Sequence, residues 1–259
     1  KKKQRPVIQF DFSSIGESLV TTEKILEAKI QEYNRLKEES RNPEGMLEAA
    51  LHTLSLSRLV SQGAAYGGRE TKGGYAGKND IVTDAHCRVS ESYLLLGMIT
   101  QAMQHALEGS ARSLESNRNP SPQVLTCVGR AHMATGDIKK AMGLFDEALM
   151  AIKDEKGEMA IEQCEILCEI AEAYWRQKKH RESIDMLCDV WTVQESKYGA
   201  DALQLVPTYL LLGQAYTKLN EHDRATDHLF RAIRISREHH KENTKSFAEA
   251  CVLLGGCLS

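Results

Sequence analysis

Apolar residues recur every three or four positions along most of the chain, which is the spacing of a helix that buries one face. Between residues 17 and 40, Leu26, Ile30, Tyr33 and Leu36 form one such stripe. Alternation typical of a strand is limited to VIQFDF at residues 7–12. The pattern therefore predicts helices of about 15 to 20 residues. Turn-forming stretches that separate them lie at 42–43, 117–122, 157, 199–201 and 242–244.

A repeat is visible in the small residues. Gly129, Ala171, Gly213 and Gly255 follow one another at equal steps of 42 residues. Small side chains allow two helices to approach closely, and larger apolar residues fill the space between helix layers. Each repeat is therefore predicted to be a helical hairpin. A second small residue follows twelve positions after each of the first three, at Ala141, Ser183 and Ala225.

The segment at 209–235 combines aromatic residues at Tyr209 and Tyr216 with the small residues Gly213 and Ala225. This pattern resembles a tetratricopeptide repeat (TPR). A step of 42 residues is longer than the usual 34, and it resembles the long repeats of kinesin light chains. The segments EAALHTLSLSRLV and VSESYLLLGMITQAMQHALEGSARSL are also similar to TPR proteins of cilia. The residues that carry the best match are Tyr209, Leu212, Gly213, Tyr216, Ala225, Leu229 and Ala232.

The resemblance implies an all-α fold, a right-handed α-solenoid of antiparallel helix pairs. The final segment matches only the first helix of a repeat, so it is expected either to cap the array or to precede further chain. Four segments are predicted: an extended lead-in at 1–16, a degenerate first hairpin at 17–60 that caps the array, a glycine-rich insertion loop at 61–79, and the repeat array at 80–258. Within the array, the predicted repeats are at about 80–117, 120–156, 158–198 and 201–240, followed by a half repeat at 244–258.

The resemblance also implies a partner-binding groove, because the first helix of each TPR hairpin lines the concave surface. Trp175 is the strongest candidate contact, since a wide and rigid side chain contributes much to binding. The alternative role for Trp175 is packing between repeats. The predicted lining is Glu91, Arg130, Met133, Glu165, Glu172, Trp175, Arg176, Gln214 and Lys218.

The glycine-rich stretch GAAYGGRETKGGYAGK at 63–78 ends in Gly-Lys, as a phosphate-binding loop does. Lys72 stands where that motif needs Gly, Asn79 stands where it needs Ser or Thr, and the preceding residues have helical periodicity. The stretch is therefore predicted to be a surface arm that binds a partner protein, with nucleotide binding as the remote alternative. Its candidate contacts are Tyr66, Arg69, Lys72, Tyr75 and Lys78.

Charge and composition narrow the partners. A net charge of −3 gives no electrostatic reason to expect nucleic acid, and no apolar run is long enough to predict membrane insertion. Arg234, Arg237 and Lys241 could share a helical face. This basic patch would suit an acidic partner such as a tubulin tail, and its alternative is an ordinary solvated face.

Candidate catalytic or metal-binding groups are few. Cys164, Cys168 and Cys188 could hold zinc, but a free cysteine also serves as a small buried apolar residue. Seven cysteines without a CxxC pair indicate reduced thiols and a cytosolic compartment. No nucleophile motif is present. The sequence predicts no enzyme activity, no cofactor and no metal.

A protein-interaction scaffold is the function that these observations favour, with other proteins as partners. Resemblance to ciliary proteins suggests a structural or assembly component of a cilium, an axoneme or another cytoskeletal complex, and hence a cytoplasmic or ciliary location. A cargo or signalling adaptor that binds short peptides in the groove is the alternative. A nucleotide-binding enzyme is the remote alternative.

Overall fold

The structure is a computed structural model that describes residues 12–39, 42–67, 80–115, 120–239 and 244–258. Within these residues the chain forms eleven α-helices and a single 3-10 turn, and contains no β-strand. The predicted all-α class is confirmed. The helices are α1 Phe12–Glu39, α2 Pro43–Gly67, α3 Asp80–Leu95, α4 Ile99–Glu115, α5 Pro122–Thr135, α6 Ile138–Lys156, α7 Gln163–Arg176, α8 His180–Tyr198, α9 Val206–Lys218, α10 His222–Glu238 and α11 Lys245–Leu258; the 3-10 turn is Leu203–Leu205.

The helices group into two compact units, residues 1–135 and 136–259. In the first unit α1 packs on α2, α2 on α3, α3 on α4, and α5 on both α3 and α4. Its core contains the apolar stripe of α1, because Leu26 and Tyr33 are both buried. Tyr33 packs with Met46 from α2 and Val89 from α3.

In the second unit α7 pairs with α8 and α9 pairs with α10, while α11 packs against both α9 and α10. One core cluster joins Leu187 of α8 to Leu212 of α9. Another joins Leu229 of α10 to Ala250 of α11. The apolar periodicity of the sequence thus becomes a layered helical core.

In two hairpins the small residue at the contact between the paired helices is a serine. Ser90 on α3 donates to the carbonyl of Ala102 on α4 at 2.8 Å. Ser183 on α8 donates to the carbonyl of Ala171 on α7 at 2.7 Å. Both serines are buried. The close helix approach that small residues permit is therefore tied by a hydrogen bond as well as by packing.

Four of the turns between successive helices, α3–α4, α5–α6, α7–α8 and α9–α10, use a residue with left-handed backbone. Gly97, Gly136, Lys178 and Asn220 have φ values of 72°, 85°, 61° and 59°. Lys178 and Asn220 follow Gly136 at steps of 42 residues, the step of the small-residue repeat. The period found in the sequence is therefore also a period of the backbone conformation.

Two predicted boundaries are wrong. Helix α1 begins at Phe12, so residues 12–16 are helical rather than part of an extended lead-in. Helix α2 continues to Gly67, so residues 61–67 are not loop. The buried stripe of α2 reaches Val60, and the alanines at 64 and 65 favour continuation of the helix beyond it. Residues 1–11 and 68–79 lie outside the described residues.

Candidate functional site

A cavity of about 400 Å³ lies in the second unit among α7, α8, α9 and α11. Its walls are partly apolar and carry a small number of polar groups, which is the usual character of a ligand pocket. The residues that line it are Cys168, Ala171, Glu172, Trp175, Ser183, Leu187, Leu211, Gln214, Ala215, Thr217, Lys218 and Leu253.

Trp175 is the largest side chain of the cavity. It lies in the last turn of α7, one helical turn after Ala171, so both residues are on the same helix face. The indole ring packs beside the ring of His180 with centroids 4.2 Å apart. Trp175 also packs against the core that contains Leu187 and Ala215. These contacts hold the indole in place while it remains only partly buried.

Polar groups stand beside the indole. The carboxylate of Glu172 accepts a hydrogen bond from Nε of Arg176 at 2.8 Å. Lys218 is exposed at the end of α9, and Gln214 lies one turn before it. The hydroxyl of Thr217 donates to the carbonyl of Gly213 at 2.8 Å. The cavity therefore offers a fixed apolar surface with an acid, a base and an amide at its edge.

The cavity contains four of the nine side chains predicted for the groove. Glu172, Trp175, Gln214 and Lys218 line it together. Arg176 contacts Glu172 but is not part of the wall, and Glu165 is exposed elsewhere on α7. The sequence did not indicate Leu253, because it belongs to α11 and reaches the cavity only through packing of the last helix.

Glu91 and Arg130, also predicted for the groove, take part in an internal ion network of the first unit. The hydroxyl of Tyr33 donates to Oε2 of Glu91 at 2.8 Å. Nζ of Lys37 lies 2.8 Å, and Nη1 of Arg130 lies 3.7 Å, from Oε1 of Glu91. Burial acts to raise the pKa of Glu91, but Lys37, the Tyr33 hydroxyl and Arg130 together lower it below its ordinary value. Glu91 is thus ionised and paired.

The prediction that Met133 lines the groove is wrong. Its side chain is only 4% exposed. Met133 follows the buried Gly129 by four residues on α5 and therefore shares its inward face.

Two residues of the predicted basic patch, Arg234 and Arg237, contact different partners. Arg234 forms an ion pair with Asp201. The guanidinium of Arg237 lies over the ring of Phe247, 5.9 Å from the ring centre. Helix α10 ends at Glu238, and Lys241 lies outside the described residues.

The glycine-rich arm is also largely outside the described residues. Tyr66 belongs to α2 by its backbone, while Arg69, Lys72, Tyr75 and Lys78 fall in the part of the chain that is not described. The hypothesis of a partner-binding arm stays a prediction.

Cys164 and Cys188, two of the cysteines that the sequence analysis weighed as zinc ligands, lie among packed helices. Cys164 is buried, and its Sγ lies 3.9 Å from the carbonyl oxygen of Val190. Burial raises the pKa of Cys164 to about 11 and also raises that of Cys188. Both thiols are therefore protonated at neutral pH in the metal-free protein. A different cluster, His86 with His105 and Glu108, was missed by the sequence because its members lie on two helices.

Hairpins with small-residue contacts and left-handed turns at a constant step are typical of helical-repeat proteins. Residues 162–238 match the model of the tetratricopeptide repeat, and the resemblance predicted from the sequence is confirmed. Among the described residues, no helix is both long and apolar enough to cross a membrane.

Similar proteins agree with this class. Tetratricopeptide repeat protein 23 of Bos taurus is 26% identical over 231 residues, which cover 80% of this chain and 48% of that protein. The chain thus spans about half the length of this curated relative.

Two solved structures share the fold. A Podosopora anserina putative kinesin light chain with TPR-like repeats has a TM-score of 0.54 at 16% identity, covering 81% of this chain and 98% of that one. The Rap conjugation gene regulator of plasmid pLS20, solved with the Phr* peptide, has a TM-score of 0.63 at 11% identity, covering 95% and 61%. Identities this low establish the fold alone.

Proposed function

We propose that this chain is a non-catalytic interaction scaffold that binds a short peptide segment of another protein in the cavity of the second unit. The observation that carries the proposal is the meeting of Glu172, Trp175, Gln214 and Lys218 at one cavity. These side chains are among those that the resemblance to the TPR implies for the groove, and they line one cavity. A TPR fold supplies such surfaces for protein recognition.

The cavity has the size and chemistry for a peptide. Its volume of about 400 Å³ lies at the lower end of the range of about 300 to 1,000 Å³ for ligand pockets. Trp175, Leu211 and Leu253 would enclose one apolar side chain of the ligand. Gln214 and Lys218 would meet the polar backbone and an acidic neighbour. The Rap regulator, which shares the fold, was solved with a peptide bound.

The absence of catalysis is part of the proposal. Glu172 and Lys218 are the two residues with full charge among those that line the cavity, and Glu172 is paired with Arg176 outside it. General acid–base catalysis needs a group whose pKa is matched to the reaction and that is free to transfer a proton. A binding role accounts for these side chains without such a group.

A peptide-display screen followed by calorimetry tests the proposal. We expect Trp175→Ala to weaken binding of selected peptides by more than about tenfold, as loss of a central aromatic contact does. Lys218→Glu should weaken binding of peptides with an acidic residue. Phe230→Ala is the matched control, because Phe230 is an exposed aromatic residue of α10 outside the cavity. Equal affinity of Trp175→Ala and the unchanged chain for every recovered peptide would refute the groove.

A place in a cilium or another cytoskeletal complex is the second part of the proposal, and it rests on the sequence resemblance to ciliary TPR proteins. Tubulin tails and ciliary subunits are the partners to examine. An acidic tail that binds Arg234 would have to compete with Asp201, which already pairs with it. Proximity labelling in ciliated cells tests this assignment, and a labelled set without cytoskeletal proteins would remove it.

The nucleotide alternative concerns residues outside the described part of the chain. Calorimetry with ATP and GTP decides it. Micromolar binding that is lost in Lys78→Ala would establish a nucleotide site and overturn the non-enzyme proposal.

A further inference from the structure

Two histidines and a glutamate meet between α3 and α4 in the first unit. His86 comes from α3, and His105 and Glu108 are three residues apart on α4. Nδ1 of His86 lies 3.1 Å from Nδ1 of His105 and 3.4 Å from Oε2 of Glu108. Nδ1 of His105 lies 3.9 Å from the same Oε2. Three potential metal-binding atoms therefore face one small volume.

The separations match a tetrahedral zinc site. Zinc binds histidine nitrogen at about 2.0–2.1 Å and carboxylate oxygen at about 2.0–2.2 Å. Two ligand atoms at a tetrahedral angle around such an ion are roughly 3.3 to 3.5 Å apart. The observed distances of 3.1, 3.4 and 3.9 Å lie around this value. Small rotations of the exposed Glu108 side chain would complete the geometry.

We propose that His86 Nδ1, His105 Nδ1 and the Glu108 carboxylate bind a zinc ion that joins α3 to α4. The set of two histidines and one glutamate is a known zinc donor set. Glu108 is partly exposed, with 40% of its side chain accessible, so the fourth position faces solvent and would take water. The ion would act as a cross-link within the first unit.

Neighbouring side chains orient two of the ligands. Gln104 donates from Nε2 to Oε1 of Glu108 at 3.0 Å, which leaves Oε2 directed at the histidines. The ring of Tyr93 stacks on the ring of His105 with centroids 5.7 Å apart. Such contacts around a metal ligand fix its direction and strengthen binding.

Zinc binds the neutral form of the imidazole. Burial lowers the pKa of His86 to about 4, despite the opposing carboxylate of Glu108. Burial also lowers the pKa of His105. In the metal-free protein the two facing Nδ1 atoms can share a single proton, with one donating to the other. Zinc would take the place of that proton on Nδ1, and the proton would move to Nε2 of the same histidine.

Arg58 opposes the ion and gives the proposal its sharpest test. Its Nη2 lies 3.4 Å from Nε2 of His86 and can only donate. A histidine that binds zinc through Nδ1 carries its hydrogen on Nε2 and can no longer accept from Arg58. The exposed Arg58 would then turn toward solvent. Arg112 adds a second positive charge near His86.

The experiment is calorimetry of the full chain with Zn²⁺ at pH 7 under a non-thiol reductant. We expect one ion per chain and a rise in Tm that grows with zinc concentration. His105→Ala and Glu108→Gln should each weaken zinc binding by about 100-fold or more. Loss of a group that only orients a ligand already costs about 10- to 100-fold, and loss of the ligand itself should cost at least as much. Arg58→Gln should tighten binding by about tenfold, because glutamine can accept from Nε2 and carries no charge. His222→Ala, an exposed histidine of α10, is the control and should bind as the unchanged chain does.

Co²⁺ separates this site from the cysteines. A site of two nitrogens and a carboxylate gives no thiolate-to-cobalt charge-transfer band, whereas a cysteine site does. Circular dichroism of each variant checks that it is folded. The proposal is overturned if neither the unchanged chain nor Arg58→Gln binds zinc, if binding survives His105→Ala and Glu108→Gln, or if the cobalt complex shows the thiolate band.

Discussion

Leu229 packs directly against the backbone of Gly213. A Cβ atom built on Gly213 would lie 2.6 Å from Cδ2 of Leu229, so a larger side chain would force Leu229 to shift. Gly213 is the small residue of the repeat on α9, and Leu229 is the large residue of α10 that packs beside it. This close contact explains why the repeat has a small residue at position 213.

Gly213→Ala should therefore destabilise the second unit. Overpacking costs about 1 to 3 kcal/mol, of which the better helix propensity of alanine returns about 0.5 to 1 kcal/mol. We expect a net loss of about 1 to 2 kcal/mol in the free energy of unfolding, measured with urea. The control is Gly143→Ala on α6, where a Cβ would meet nothing within 4 Å. It should gain stability, and equal effects of the two changes would contradict the packing explanation.

Lys178 is a candidate for stabilisation. Its φ of 61° is left-handed, a region that glycine occupies without the steric cost of a Cβ, and glycine stands at the equivalent turns at Gly97 and Gly136. Lys178→Gly should raise the free energy of unfolding by about 0.5 to 1 kcal/mol. This gain is smaller than the strain energy that is relieved, because glycine also makes the unfolded chain more flexible. The reverse change, Gly97→Lys, should lower it by about 1 kcal/mol. A loss of stability in Lys178→Gly would show that the turn is not strained.

Glu91 should contribute to stability through its charge. Glu91→Gln leaves Lys37 and Arg130 without their carboxylate, and we expect a loss of about 1 to 3 kcal/mol. The control is Glu32→Gln, since the pair of Glu32 with Lys29 lies at the surface and should contribute little.

The pH dependence of this difference is a further check. The folded pKa of Glu91 is below the ordinary 4.5, so its stabilisation is complete above pH 4.5 and is lost as the pH falls through the folded pKa. The two proteins should therefore converge in stability in acid. A constant difference across that range would contradict the ion network.

His86 should make the zinc-free first unit sensitive to mild acid. Its pKa falls from 6.5 unfolded to about 4 folded, so the unfolded chain binds the proton more readily. Stability should then decline as the pH drops from about 6.5 toward about 4. His105 is shifted in the same direction and adds to the effect, while Glu108 opposes it and Arg58 and Arg112 reinforce it.

Urea midpoints between pH 7 and pH 4.5, measured with a chelator present, test this expectation. His86→Gln should flatten the dependence above pH 5, whatever its effect on stability at pH 7. The exposed His52→Ala should keep the slope of the unchanged chain. If all three slopes agree, His86 is not the titrating group.

Much of the fold could be predicted, because helix periodicity and the spacing of small residues are local properties. The step from Gly129 to Ala171 and Gly213 predicted hairpins, and Gly213 does lie against the paired helix. Gly255, the fourth residue of the series, does not lie against another helix in this way, because a Cβ built on it would meet nothing within 4 Å. Its helix α11 packs on α9 and α10 through other residues, among them Leu253 and Cys257.

The candidate site was predictable only in part. The resemblance to the TPR implied that Trp175 and Lys218 share a groove, and both residues line one cavity. The repeat register fixes which face of a first helix is turned the same way in successive hairpins. It failed for Met133, which faces inward. The register specifies an angle around a helix axis, but burial depends on the neighbouring helices on every side.

The sequence by itself determined that this protein is helical, that its small residues recur at a step of 42 residues, and that its repeats resemble the TPR. These features follow from side-chain size and periodicity within about one repeat. The tertiary structure decided that Glu91 is held in an ion network, that Arg234 is already paired, and that His86 meets His105. Those relations join residues on different helices, and their distances depend on how each helix rotates and tilts against the next, which the spacing of apolar residues does not specify.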